Sequence, residues 1–172
     1  KDTTIAAVLK RAGYATGAFG KWHLGGVGRP GDPNAQGFDV FYGIDPKDGG
    51  SSTHFSETLY RNGKPESVAA NRDGQQGAFG DDLFLDAALA FIREHRRHPF
   101  TSDNGPATAG GSDPAFFGSS GGLRGTKFSF YEGGIREPFL ARWPGVVPAC
   151  QTCDLPFAFC DMLPTLAQLA GA

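Results

Sequence analysis

The run Gly20-Lys21-Trp22-His23-Leu24-Gly25-Gly26 sets an ammonium and an imidazole two residues apart. On an extended backbone, side chains at i and i+2 share a face, so Lys21 and His23 point together while Trp22 packs on the other side. A cation beside an imidazole suits an anionic ligand, and Gly20, Gly25 and Gly26 let the backbone turn and approach it. A surface lysine and a hydrogen-bonded histidine at a strand end account for the same residues. Further along, Asp103-Asn104-Gly105 offers a carboxylate and an amide oxygen to a hard cation. Such ions take about six to eight oxygens, so the pair is only part of a site, and Asp-Asn-Gly is also a common turn.

These residues need elements to hold them. Asp2, Thr3 or Thr4 can cap a helix with apolar positions Ile5, Val8, Leu9 and Ala12 and a stop at Gly13. A strand from Tyr14 to Phe19 then delivers the chain to Lys21. Residues 28–80 read as loops with short strands, such as Phe38 to Tyr42, and Asn62-Gly63 marks a tight hairpin after Thr58-Leu59-Tyr60. His54 sits in a polar loop as an ordinary exposed histidine. A second helix starts at Asp81 or Asp82, with the stripe Phe84, Ala87, Ala88, Phe91 and Ile92. Arg93, His95, Arg96, Arg97 and His98 complement its C-terminal dipole and Pro99 stops it. A Gly-Ser-rich loop covers 107–122.

The 172 residues fit one α/β domain or a piece of a larger one. Sixteen Lys and Arg against eighteen Asp and Glu give a net charge of −2, which supports neither nucleic-acid nor anionic-lipid binding. Mean hydropathy is −0.28 and no apolar run reaches the length of a membrane span. Twenty-six glycines and twelve prolines make the chain loop-rich, and their placement beside Lys, His, Asp and Asn points to loops shaped around a ligand. The first residues show neither an initiator Met nor a signal-peptide pattern, so the stretch is expected to open within folded structure. Three cysteines, Cys150, Cys153 and Cys160, include one Cys-x-x-Cys, a weak zinc signal; a local disulfide or reduced, half-buried thiols are expected.

Five runs follow one another along the chain. They are Gly-Lys-Trp-His-Leu-Gly at 20–25, Thr-Ser-Asp-Asn-Gly-Pro at 101–106, Arg-Gly-Thr-Lys at 124–127, Tyr-Glu-Gly-Gly-Ile-Arg-Glu-Pro-Phe at 131–139, and Asp161-Met162-Leu163-Pro164-Thr165-Leu166. In this order they resemble the sulfatase family, of the arylsulfatase and N-acetylgalactosamine-6-sulfatase type within the alkaline phosphatase-like superfamily. The resemblance implies an α/β fold, a sheet flanked by helices, incomplete here.

It also implies a reaction, the hydrolysis of aryl or carbohydrate sulfate esters by a formylglycine nucleophile beside a calcium ion. On that resemblance Lys21 contacts the nucleophile and sulfate, and His23 handles the proton of the formylglycine hydrate. Asp103 and Asn104 are two of the calcium ligands, and Lys127 neutralises sulfate oxygens near the leaving group. The pattern is physically coherent, since a metal and two ammonium groups concentrate positive charge where a tetrahedral anion binds. Imidazole is a side chain commonly used for proton transfer, which suits that role. The implied ligand is a sulfated small molecule or glycan, and the parent protein would be periplasmic, secreted or lysosomal.

Two departures stand out. The family nucleophile lies in Cys-x-Pro-x-Arg or Cys-x-Ala-x-Arg, upstream of Lys-Trp-His, and none of the three cysteines is so placed. His98-Pro99-Phe100 runs straight into Thr101-Ser102-Asp103, without an apolar strand of ordinary length. Residues 1–100 and 101–172 therefore read as two separated pieces of one catalytic domain joined together, and lost central strands should leave sheet edges or cavities. The chain alone is expected to be inactive. Two other readings are a phosphatase or phosphodiesterase of the same superfamily, which would call for further Asp and His ligands, and a non-catalytic anion- or glycan-binding remnant.

Overall fold

A computed structural model describes residues 3–45, 54–95, 100–101, 106–107 and 113–171. They fall into two units, one of Lys1–Ser51, Phe55–Glu94 and Thr152–Ala172, the other of Ser52–His54 and His95–Gln151.

In the larger unit, helix α1 (Ile5–Arg11) starts where Thr4 accepts a hydrogen bond from the Ala7 amide at 3.1 Å. It ends at Gly13, whose φ of +84° suits a glycine. Strand β1 spans Gly17–Lys21 rather than Tyr14 to Phe19. The difference has a local cause: Tyr14 still bonds back to the helix through Leu9 O, at 3.0 Å, so the chain extends only afterwards. β1 pairs in parallel with β2 (Val40–Ile44), Gly17 beside Val40 and Lys21 beside Ile44.

β2 continues antiparallel to β3 (Thr58–Arg61), and β3 to β4 (Lys64–Ser67), giving a four-stranded mixed sheet in the order β1-β2-β3-β4. The expected hairpin joins β3 and β4, with Asn62 and Gly63 at φ of 47° and 79° between the paired Arg61 and Lys64. β1 is an edge of this sheet among the described residues.

A 3-10 segment at Ala69–Gly74 leads to helix α2. Within it the buried Asn71 donates from Nδ2 to Ser56 O and Ala78 O and accepts from the Ala78 amide, tying the approach to the helix together. α2 (Gly80–Glu94) carries Asp81 and Asp82 in its first turn and Arg93 in its last. Its apolar stripe covers one sheet face: Phe91 lies 5.6 Å from Phe19, and Phe84 lies 6.1 Å edge-on to Tyr42. Residues 96–99, with the remaining basic cluster and Pro99, lie outside the described residues.

Among the described residues, Ala6, Phe41, Tyr42, Leu59 and Ala88 are the buried hydrophobic ones. Helix α5 (Phe159–Ala170) packs against α1, with Asp161 accepting from the Ala158 amide at 2.9 Å and Gly171 closing the end at φ +69°. None of its residues is buried, and Pro164 sits inside it, where it cannot donate to the preceding turn.

The smaller unit pairs β5 (Phe100–Thr101) with β6 (Phe139–Leu140), antiparallel. The stretch expected as an unbroken Gly-Ser loop contains a helical turn, α3 (Pro114–Phe117). Asp113 caps it through the Ala115 and Phe116 amides, and Pro114 occupies the first position, where its missing N–H costs nothing. A second short helix, α4, spans Glu132–Ile135.

The chain exposes 11514 Å² of surface. Among the described residues Phe116, Phe128, Phe130, Leu140 and Leu155 are each open to solvent.

Candidate anion site

Lys21 is the last residue of β1, at the carboxyl end of the parallel strand pair. Trp22 continues the ladder, its amide donating to Ile44 O at 3.3 Å, and its ring turns inward. There it lies edge-on to Phe38 at 5.7 Å and to Phe41 at 6.5 Å, and Nε1 donates to Gly31 O at 2.8 Å. With Trp22 directed inward, Lys21 and His23 on either side of it are exposed, as the alternation of an extended chain requires.

The loop that follows is held by carboxylates. Asp45, 3% exposed at the carboxyl end of β2, accepts from the Val27 amide at 2.9 Å. Asp32 accepts from the Gly28 and Asn34 amides at 2.8 and 2.9 Å. Gly25 serves this loop rather than leaving room for a ligand, since a Cβ there would stand 2.7 Å from Gly31 Cα. Asp45 escapes sequence reading; the only signal is an acidic residue directly after the apolar β2 run, where a parallel strand ends.

Lys127 belongs to the other unit, so it is described apart from Lys21 and His23. It is half-buried, its amide donates to Pro106 O at 2.9 Å, and Nζ lies 5.5 Å from the centre of the Phe128 ring. The turn around it is built by close backbone packing. The Gly133 amide donates to Arg124 O at 2.8 Å, and a Cβ on Gly133 or Gly134 would fall 2.3 Å from Gly125 O or 2.4 Å from Ser129 O. Those contacts explain physically why Tyr131-Glu132 is followed by two glycines. Arg124 lies over the Tyr131 ring at 3.7 Å, and Arg136 reaches Glu132 at 3.6 Å.

Asp103 and Asn104 lie outside the described residues. Among the described residues no group of three or more His, Cys, Asp or Glu side chains is gathered to hold a metal. His54 is partly buried rather than exposed. Cys150, Cys153 and Cys160 are free and exposed, correcting both the expected disulfide and the expected half-burial. The segment that carries the first two lies along the surface without regular structure, so nothing covers the thiols.

No helix among the described residues is long and apolar enough to cross a membrane. The profile of the sulfatase family matches residues 1–100 and 99–172. Human arylsulfatase A is 32% identical over 250 residues, which take in 100% of this chain and 48% of that protein. Human N-acetylgalactosamine-6-sulfatase is 28% identical over 246 residues, with 99% and 45% covered. The crystal structure of Ps i-CgsB in complex with k-i-k-neocarrahexaose superposes with a TM-score of 0.61 at 22% identity, covering 99% of this chain and 53% of that one, a likeness of fold. This chain spans about half the length of the curated relatives it matches. The mixed sheet with its helices fits an incomplete α/β fold of the alkaline phosphatase-like kind, and the chain belongs to the sulfatase family.

Proposed function

We propose that this chain is part of a sulfate ester hydrolase acting on aryl or carbohydrate sulfates. The observation that carries the reading is the placement of Lys21 and His23: both are exposed at the carboxyl end of β1 in a parallel pair, the end at which open α/β sheets bind ligands. In this reading the Lys21 ammonium holds sulfate oxygens, and Lys127 supplies a second positive charge near the bridging oxygen, where negative charge grows as the S–O bond breaks. His23 carries a proton to or from the nucleophile. Trp22 and Asp45 orient the loop that follows Lys21 and carries His23.

Calcium in this reading is held in part by Asp103 and Asn104. Their donors are hard oxygens of the kind calcium takes, but two residues fall short of about six to eight ligands, so other groups must complete the shell. When bound, the ion adds positive charge beside the sulfate. None of Cys150, Cys153 and Cys160 has the surroundings of a formylglycine precursor, so the nucleophile is supplied from elsewhere in the whole protein. We further read residues 1–100 and 101–172 as separated pieces of one domain. The family profile matches in two stretches meeting at 99–100, and alignment with human arylsulfatase A runs over 250 residues for a chain of 172. An exported whole protein follows from the same reading.

The test is calorimetric titration of the 172-residue chain with sulfate, alongside turnover of a chromogenic aryl sulfate in calcium. Sulfate should bind, weaken about tenfold or more in Lys21→Ala, and no turnover should exceed that of the variant. Turnover above the Lys21→Ala control would overturn the inactive-fragment reading, and tighter binding of phosphate than sulfate would favour a phosphatase. Absence of any sulfate binding would overturn the site itself.

A further inference from the structure

Phe128 follows Lys127 directly and combines two features that ordinarily exclude each other. Its side chain is 93% exposed, and its backbone has φ of 73°, the left-handed region that a bulky residue rarely adopts. The Ser129 amide donates to Thr126 O at 3.0 Å, so Thr126 to Ser129 form a β-turn with Phe128 at its third position. Lys127, at the second position, has no positive φ, which makes the turn type II, and glycine is the residue that this third position favours. The turn is fixed from several sides, by Lys127 N to Pro106 O at 2.9 Å and Thr126 N to Ser129 Oγ at 3.2 Å. A phenyl ring here therefore strains the backbone while covering no core. The Lys127 ammonium lies 5.5 Å from the ring centre.

We propose that Phe128 is a specificity-determining residue, a platform on which the flat ring carried by a sulfate ester lies while its sulfate sits on Lys127. This rests on the reading of Lys127 as a sulfate-binding group. Strained, exposed residues that a surrounding turn over-determines are found where a ligand is gripped. The ammonium and the ring sit together in the same unit, so an ester engages both without rearrangement of the turn. The ring can be aromatic, stacking offset on Phe128, or a pyranose, presenting its C–H face to it. Phe130, 95% exposed two residues on, extends the apolar surface beyond the turn.

The probes are methyl sulfate, which has no ring, 4-nitrophenyl sulfate and a hexose 6-sulfate, titrated calorimetrically into the 172-residue chain. One or both ring-bearing esters should bind roughly fivefold tighter than methyl sulfate, and the pair shows which ring is preferred. Phe128→Gly should erase that margin, leave methyl sulfate binding unchanged and not lower the thermal midpoint, because glycine relaxes the turn. A ring-bearing margin absent from the parent chain, or intact in Phe128→Gly, would overturn the inference. Lys127→Ala tests the underlying reading separately: methyl sulfate binding should weaken, and if it does not, the sulfate does not sit on Lys127 and the inference falls with that reading.

Discussion

Asp39 clasps Thr16 from the residue before β2. Its carboxylate accepts from the Thr16 amide and hydroxyl, each at 3.0 Å, and its own amide donates to Thr16 O at 2.9 Å. Thr16 is buried, and its single hydroxyl proton is shared between the Asp39 carboxylate and Gly37 O, the latter at 2.7 Å. The clasp stands one residue ahead of the Gly17–Val40 pair and so sets the parallel register that carries Lys21 to the sheet end.

Stability should therefore fall on acidification. The Lys10 ammonium, 2.7 Å away, together with the Thr16 bonds, holds the Asp39 carboxyl below its usual range against a smaller opposing effect of burial. A depressed folded pKa contributes stability that is present above the unfolded value of about 3.9 and is lost as pH falls through the folded value. Both side chains are partly exposed, so solvent screens the ion pair and its share is at most about 1 kcal/mol. Asp39→Asn should flatten the acid limb of a denaturation-midpoint against pH curve. An unchanged limb would contradict the clasp.

Gly43→Ala should prevent native folding. A Cβ at Gly43 would stand 1.7 Å from Gly20 O on the neighbouring strand, backbone against backbone, and no rotamer relieves that. Circular dichroism should show the loss. Gly74→Ala, with nothing within 4 Å of its Cβ but a φ of +77°, should cost only about 1 kcal/mol.

Trp22→Phe should keep most of the apolar packing but remove the donor to Gly31 O. A loss of about 1 kcal/mol follows for one part-buried hydrogen bond, measured by denaturant titration. Faster hydrogen exchange across 23–31 should accompany it, since the same bond tethers the loop after Lys21.

All three thiols should react with a chromogenic disulfide reagent in native buffer, because Cys150, Cys153 and Cys160 are free and exposed. Reductant should leave the thermal midpoint unchanged. A shift, or fewer than three reactive thiols, would indicate a disulfide.

The exposed apolar side chains, Phe116, Phe128, Phe130, Leu140 and Leu155 among them, should bind a hydrophobic dye in native buffer. Dye fluorescence no higher than that of a folded control protein would contradict their exposure.

Local chemistry made much of this protein readable from the residues in order. Thr4 and Gly13 bound α1, Asn62-Gly63 dictates the hairpin, and the 3.6-residue stripe from Phe84 to Ile92 gives α2 and its buried face, because each signal acts within one turn of chain. The order of the five runs likewise gave the family. Tertiary structure decided what depends on distant partners. β1 starts late for a local reason, but it runs on past Phe19 to Lys21 because its far end follows pairing with β2, and Asp45 becomes a loop anchor only when a parallel neighbour brings Val27 within 2.9 Å. Cys150 and Cys153 lie bare because the segment holding them runs exposed and without regular structure, Cys160 because it stands at an exposed position of α5, and Phe128 is strained because its turn is fixed by Pro106, some twenty residues earlier in the chain. Spacing along a chain encodes propensity, whereas which carboxylate, glycine or ring meets which backbone atom is set by long-range packing.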